Sequence, residues 1–177
     1  MTVAAWACGL ALAVTGAGGA APAADAPPAP GASAPAPPLD GATLDGRPFA
    51  AAWSDAGATV VMFFATYCHP CHRALRELAD IRQAAGPRLR FILVDAGEDP
   101  AAVRRFLADN PVPGDGAVVI DSSGSDRRRW GCELEPTLFL VDHAGRVRYI
   151  NHGWGDGSQG KYLRRVRNVL ARSPERR

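Results

Sequence analysis

The chain has 177 residues, 47% of them apolar and 21% charged, with a formal net charge of +2. That length holds one domain comfortably, a charge so near balance argues against a dedicated nucleic-acid binder, and the supply of apolar residues excludes wholesale disorder. Four cysteines, at positions 8, 68, 71 and 132, are too few for a disulfide-dense scaffold, which a chain of this size does not need.

In chain order, residues 3–14 (VAAWACGLALAV) form an apolar run followed by small residues. This order resembles the apolar and cleavage regions of a secretory signal, with Ala21-Pro22-Ala23 as an A-x-A site. No Lys or Arg precedes Arg47, so the basic n-region is missing. Residues 1–23 are therefore expected to be a signal peptide whose start lies further upstream, or an uncleaved anchor. Either places the rest of the chain in the periplasm or facing it, as an exported or membrane-anchored protein. Lipoprotein cleavage at Cys8 is disfavoured by Trp6, where a small residue is wanted. From Ala20 to Pro38, nine Ala and seven Pro fill 19 positions. Such a stretch builds no core, and residues 24–38 are expected to be an extended spacer. The folded domain is expected over 39–172, followed by a basic tail at 173–177.

Inside that domain, strands and helices alternate. Thr59–Ala65 (TVVMFFA) has the unbroken apolar character of a strand buried on both faces. From His72 to Ala85, Leu75, Leu78, Ala79 and Arg82 fall at helical spacing before Gly86-Pro87. Leu89–Val94 is the next strand. Asp99 can cap a helix with Pro100 at its first position and Val103, Phe106 and Leu107 as its apolar stripe. Val118–Ile120 is a third strand, and Thr137–Val141 and Val147–Ile150 form a hairpin through Asp142-His143-Ala144-Gly145. A last helix is expected over 161–171, burying Tyr162, Leu163, Val166, Val169 and Leu170. The pattern predicts an α/β fold, a mixed sheet covered by helices on both faces.

The chemistry concentrates in Cys68-His69-Pro70-Cys71, which follows the buried strand and opens a helix. A sulfur at a helix N-terminus meets free backbone N–H groups and the positive end of the macrodipole, both of which favour a thiolate. A second cysteine one turn inward can attack a mixed disulfide and release its partner. Pro70 is tolerated in the first helical turn, and a protonated His69 would favour the thiolate further. A structural disulfide explains little, because the loop it would close is so short. With His72 the string also reads Cys-x-x-Cys-His, the c-type haem attachment pattern, although Met62 lies upstream and His143 or His152 would have to complete the ligation. A zinc or copper site on Cys68, Cys71 and His72 lacks a second ligand pair at metal spacing.

In this order and spacing the chain resembles the exported thioredoxin-like thiol–disulfide oxidoreductases of the TlpA/ResA type, over about residues 38–171. The resemblance is carried by Leu44-Asp45-Gly46-Arg47-Pro48-Phe49, by Phe63-Phe64-Ala65-Thr66-Tyr67-Cys68-His69-Pro70-Cys71, and by Glu98-Asp99-Pro100 with Val103–Leu107, which looks like that family's inserted helix. Glu135-Pro136-Thr137, Phe139-Leu140-Val141-Asp142 and Gly145-Arg146-Val147 resemble its cis-proline segment and hairpin. It implies a thioredoxin fold, Cys68 as the exposed nucleophile, Cys71 as the buried resolving thiol and a cis peptide before Pro136. Tyr67, Glu135, Pro136 and Thr137 are then expected to meet the substrate, while the residue chemistry makes His69, Pro70 and Glu135 the candidates for tuning the thiols.

Two departures stand out. Thioredoxins carry a buried Asp where this chain has Met62, and ResA-like members carry a Glu where it has Ala74. Both familiar proton acceptors for the resolving thiol are thus missing, and Glu135 is the candidate replacement, beside the alternative of a solvated acid. Cys132 is either a small packing residue or a third redox partner. Arg127-Arg128-Arg129 and the seven basic groups in 161–177 read as solvated faces. His143 and His152 read as surface histidines, and Trp154 marks a glycine-rich loop without an assigned role.

The expected function is exchange of disulfides with protein disulfide or dithiol substrates, with reduction the favoured direction. The expected protein is a monomer that needs no metal or organic cofactor, binds no nucleic acid, and draws electrons from a membrane-embedded thiol protein. The alternatives are the haem- or metal-binding module and a thiol peroxidase, which would want a P-x-x-x-T-x-x-C neighbourhood that is absent.

Overall fold

The computed structural model describes residues 34–174; the leader with Cys8, residues 24–33 of the spacer and the end of the basic tail lie outside the described residues. Six strands, β1 (Ala42–Thr43), β2 (Ala58–Phe64), β3 (Leu89–Asp95), β4 (Ala117–Ile120), β5 (Thr137–Asp142) and β6 (Val147–His152), form one sheet in the order β1-β4-β3-β2-β5-β6. Strands β2, β3 and β4 run parallel, while β5, β6 and β1 are each antiparallel to their neighbour. Four α-helices accompany them: α1 (His69–Ala85), α2 (Pro100–Asp109), α3 (Ser125–Arg129) and α4 (Ser158–Leu170).

The connections follow from handedness. The steps β2-α1-β3 and β3-α2-β4 both cross the sheet in the same direction, so right-handed crossovers put α1 and α2 on one face. Side chains of β2 alternate accordingly: Val60, Met62 and Phe64 join the core beneath α1, α2 and α4, whereas Val61 and Phe63 join the opposite core. The return from β4 to β5 passes over that opposite face. There Trp130, fully buried, packs 4.8 Å from Phe139, 5.9 Å from Phe63 and 6.4 Å from Trp53 between ring centroids.

The mixed sheet is as expected, but helical cover is uneven. The three longer helices share one face, and the other is closed by short α3, a 3-10 turn at Trp53–Asp55 and the N-terminal segment. Helix α1 begins at His69 rather than His72 and buries Cys71, Ala74, Leu75, Leu78 and Ile81; Ala79 is exposed and Arg82 half-buried, because the inward stripe lies one residue away from the predicted one. The helix ends at Gly86, whose φ of 81° suits glycine and whose N–H closes on Arg82 O at 2.9 Å. In α4 the stripe holds except that Leu163 is partly exposed.

Residues 34–38, inside the predicted spacer, already touch the sheet. Ala36 N donates to Gly145 O at 2.7 Å, Val147 N to Ala34 O at 2.9 Å, and Trp130 Nε1 to Pro38 O at 3.3 Å. No helix among the described residues is long and apolar enough to cross a membrane.

Candidate active site

The site lies beyond the C-terminal ends of β2 and β3, the edge where open parallel sheets present their loops. Cys68 caps the N-terminus of α1, with φ −81° and ψ 99°, and its Sγ accepts from Cys71 N at 3.2 Å. Cys68 and Cys71 form a disulfide across a Cα–Cα distance of 5.3 Å. Cys68 keeps 8% exposure and Cys71 none, so an attacking group reaches the first sulfur and the second waits behind it. Pro70 occupies the first turn of the helix, and His69 beside it is exposed.

The second lip comes from β5. Its ladder with β2 ends at Phe63 opposite Thr137, which leaves Glu135-Pro136 and the Ala65–Cys68 turn at the same end of the sheet. The Glu135–Pro136 peptide is cis. Thr137 spends its hydroxyl on Leu134 O at 2.7 Å and lies 3.4 Å from His152 Nδ1, so this histidine, though exposed, borders the site. Glu135 is ion-paired with Arg127, and to act as a base for Cys71 it would first have to leave that pair. The three arginines read as a solvated face are each engaged within the protein: Arg127 with Glu135, Arg128 with Ser123 O at 3.1 Å, and Arg129 with Asp40 at 2.7 Å. The large apolar side chains exposed among the described residues are Tyr67, at 73%, and Leu134, at 46%, one on each lip.

Behind Cys68 stands a cluster that spacing did not single out. Glu98 accepts from Thr66 N at 2.6 Å through one carboxylate oxygen and from Thr66 Oγ1 at 2.6 Å through the other. The Thr66 carbonyl meets His72 Nε2 at 3.2 Å. Asp95, fully buried at the end of β3, accepts through Oδ1 from Gly97 N at 3.0 Å and Glu98 N at 2.7 Å, while its Oδ2 has no hydrogen-bond partner. Burial first, and then the adjacent Glu98 carboxylate, push Asp95 up to about 7. Gly97 makes the turn possible: its φ is 91°, and a Cβ there would stand 2.9 Å from Asp121 O. Asp121 in turn donates its N–H to Asp95 O at 3.1 Å and accepts from Arg127 N at 2.8 Å through Oδ2. The sequence signal for this cluster is an Asp-x-x-Glu directly after an apolar strand, masked by the helix-start pattern Glu98-Asp99-Pro100 that overlaps it.

Cys132 is a free thiol, 5% exposed, in the core on the face of the sheet opposite the one that holds Cys68 and Cys71. Of the two readings of Cys132, packing residue or third redox partner, its place in that core favours packing, and its Sγ lies 3.3 Å from Leu134 O, on the segment that leads to the second lip. Burial pushes its thiol above the ordinary range, which suits a packing residue. The Trp154 loop gains a role: its indole N–H donates to Glu77 of α1 at 2.8 Å. Among the described residues no three His, Cys, Asp or Glu side chains are grouped so as to hold a metal ion.

The Redoxin family model matches residues 20–162. A curated relative, the thiol:disulfide interchange protein DsbE homolog of Paracoccus denitrificans (strain Pd 1222), is 30% identical over 100 residues, which are 55% of this chain and 51% of that protein. The chain thus spans about half the length of the curated relative it matches. Among solved structures, a thiol:disulfide interchange protein of the thioredoxin family from Chlorobium tepidum TLS superposes with a TM-score of 0.64 at 26% identity, covering 82% of this chain and 99% of that one. A secreted Mycobacterium tuberculosis disulfide oxidoreductase homologous to E. coli DsbE gives 0.62 at 22% identity, over 73% of this chain and 95% of that one. The sheet order, the disulfide at the head of α1 and these likenesses agree on a thioredoxin-like fold, and the chain belongs to the Redoxin family.

Proposed function

We propose that the protein is a thiol–disulfide oxidoreductase that exchanges disulfides with extended segments of other proteins. The observation that carries this reading is the Cys68–Cys71 disulfide at a helix N-terminus, with the nucleophilic sulfur outward and the cis-Pro136 segment at the same sheet edge. In the reducing direction both cysteines start as thiols. The Cys68 thiolate attacks one sulfur of a substrate disulfide, its bond to the other sulfur breaks, and a substrate thiolate leaves and takes up a proton. Cys71, deprotonated, then attacks Cys68 Sγ, expelling the second substrate thiolate and closing the Cys68–Cys71 bond. Two electrons pass from the dithiol to the substrate, and the reverse sequence oxidises one.

The α1 N-terminus stabilises the thiolate at Cys68, and the Pro70 and His69 neighbours tune it. Tyr67 and Leu134 offer an apolar flank to the substrate segment, which runs along Glu135, Pro136 and Thr137. Reduction is the favoured direction, from Pro70 before the second cysteine. The apolar run at 3–14 and the Ala/Pro stretch after it support export, with a membrane-embedded thiol protein as electron donor and the domain acting as a monomer. A c-type haem would need both sulfurs as thioethers. Here they are bonded to each other, and His72 lies against Thr66 O.

Reduction of insulin by dithiothreitol tests the reading: the protein is expected to accelerate it and Cys68→Ser to abolish the acceleration. A wild-type protein without effect, or a fully active Cys68→Ser, overturns it. Equilibration with glutathione fixes the direction, a couple more reducing than glutathione being expected.

A further inference from the structure

Thr66 stands two residues before Cys68, and all of its polar groups are taken by titratable side chains. Glu98 binds the amide and the hydroxyl, and His72, the residue after Cys71, meets the carbonyl. A carboxylate that receives two donors from one residue fixes both the position and the rotation of that residue. The turn between β2 and α1 is therefore held from the β3 side by Glu98 and from the helix side by His72.

The grip depends on Asp95. Its Oδ1 receives the two N–H groups that shape the Gly97-Glu98 turn, and its Oδ2 is buried without a donor. An ionised acid so placed would leave a charge unpaired in the interior, beside a second carboxylate. A protonated Asp95 resolves both difficulties, because its hydroxyl can turn to Glu98 while Glu98 keeps its charge for Thr66. The groups that face Asp95 agree with this. Glu98 lies in the following turn and Asp121 beyond β4, β2 contributes apolar Phe64, and His72 of α1 stands across Thr66.

We propose that a protonated Asp95 and Glu98 act together as positioning residues for the Cys68–Cys71 couple, holding the Thr66 turn in a geometry that responds to the redox state of the two sulfurs. This rests on the proposed thiol–disulfide chemistry. Reduction opens the disulfide and leaves at Cys68 the thiolate that the α1 N-terminus favours; that charge disfavours ionisation of Asp95, so the Asp95 proton is held more tightly in the dithiol protein. Coupling is reciprocal: whatever reduction does to the proton, loss of the proton does to the dithiol–disulfide equilibrium.

The test is a carboxyl-carbon NMR titration of Asp95 in the oxidised and the reduced full chain, which needs no substrate. The expected result is a higher midpoint in the reduced protein, by about half a pH unit, equivalent to a roughly 3-fold change in proton affinity and the same factor in the dithiol–disulfide equilibrium. Equal midpoints in the two states overturn the proposal. Asp95→Asn supplies the second measurement: it keeps an oxygen for Gly97 and Glu98 N–H and gives Glu98 a permanent donor, imitating the protonated acid. In this variant the alkylation rate of reduced Cys68 should follow the thiol ionisation alone, whereas the wild type shows an added inflection near neutral pH. An inflection that persists unchanged in Asp95→Asn overturns the proposal as well. A midpoint shift without insulin reduction would uphold the coupling and dismiss the functional reading.

Discussion

Trp154 donates its indole N–H to Glu77 Oε2 at 2.8 Å, and that bond fastens the glycine-rich loop after β6 to the helix that begins at the disulfide. Glu77 also pairs with Arg73 at 2.7 Å, and Arg73 reaches Asp156 in the same loop. Replacing Trp154 by Phe keeps the edge-on packing against Tyr162 but removes the donor, leaving a half-buried carboxylate oxygen without its partner. A loss of about 1 kcal/mol is expected, read as a lower urea midpoint. Burial raises the Glu77 carboxyl, but the Arg73 and Trp154 bonds outweigh it and hold it below the ordinary value. Its contribution is therefore present at neutral pH and is lost as pH falls through that depressed value, so wild type and Trp154→Phe should converge in acid. A difference that persists unchanged at low pH would contradict this.

Asp95 predicts a slope of the opposite sign. Its folded value, about 7, lies above the ordinary 3.8, so the folded protein binds the proton more tightly than the unfolded chain. The stability it contributes is complete below the ordinary value and is lost progressively as pH rises to about 7. Burial raises Asp126 too, adding to the same slope. Urea midpoints measured across this range should fall more steeply with pH in the wild type than in Asp95→Asn. Parallel profiles would show that Asp95 ionises as freely in the fold as outside it.

Trp130 anchors the core on the face away from the disulfide, in contact with Trp53, Phe63 and Phe139. Trp130→Ala removes a fully buried ring from between the sheet and the N-terminal segment, and is expected to cost about 3–5 kcal/mol. Calorimetry should show a large drop in Tm. A drop of a few degrees or less would mean that this face closes without the indole.

Cys132 is expected to be chemically silent. In native, reduced protein at neutral pH, iodoacetamide should label Cys68 and leave Cys132 unmodified, as mass spectrometry of the digested protein would reveal. Cys132→Ala should leave insulin reduction unchanged within about 2-fold, since the thiol is raised by burial and lies across the sheet from the disulfide. A Cys132 disulfide in the oxidised wild type would refute the assignment.

The strand-helix alternation and the C-x-x-C at the head of a helix were legible because each is a local pattern: a continuous apolar run, a proline in the first turn, a glycine at the stop. Short elements were not. The two residues of β1 and the five of α3 carry no periodicity, and α3 is charged along nearly its whole length. The Thr66–Glu98 clamp joins residues 32 positions apart, and the parallel pairing of β2 with β3 is what brings them together. No spacing rule reports such a contact. The arginines at 127–129 are in part the solvated face the sequence suggests, Arg128 being exposed, but their partners Glu135, Ser123 and Asp40 come from three separate segments and were not legible.

Asp121 lies on neither lip of the site, yet it bonds to the residues that stand behind each. Its N–H holds the end of β3 behind Thr66, and its carboxylate holds the backbone of Arg127, whose side chain pairs with Glu135 beside the cis-proline. The spacing between nucleophile and docking strand is thereby referred to a single residue just after β4, through its backbone on one side and its carboxylate on the other. Substitutions that slow electron exchange and weaken substrate docking together can arise there, at a distance from the chemistry, and an engineer wishing to widen or narrow the cleft without altering either lip would begin at the same residue.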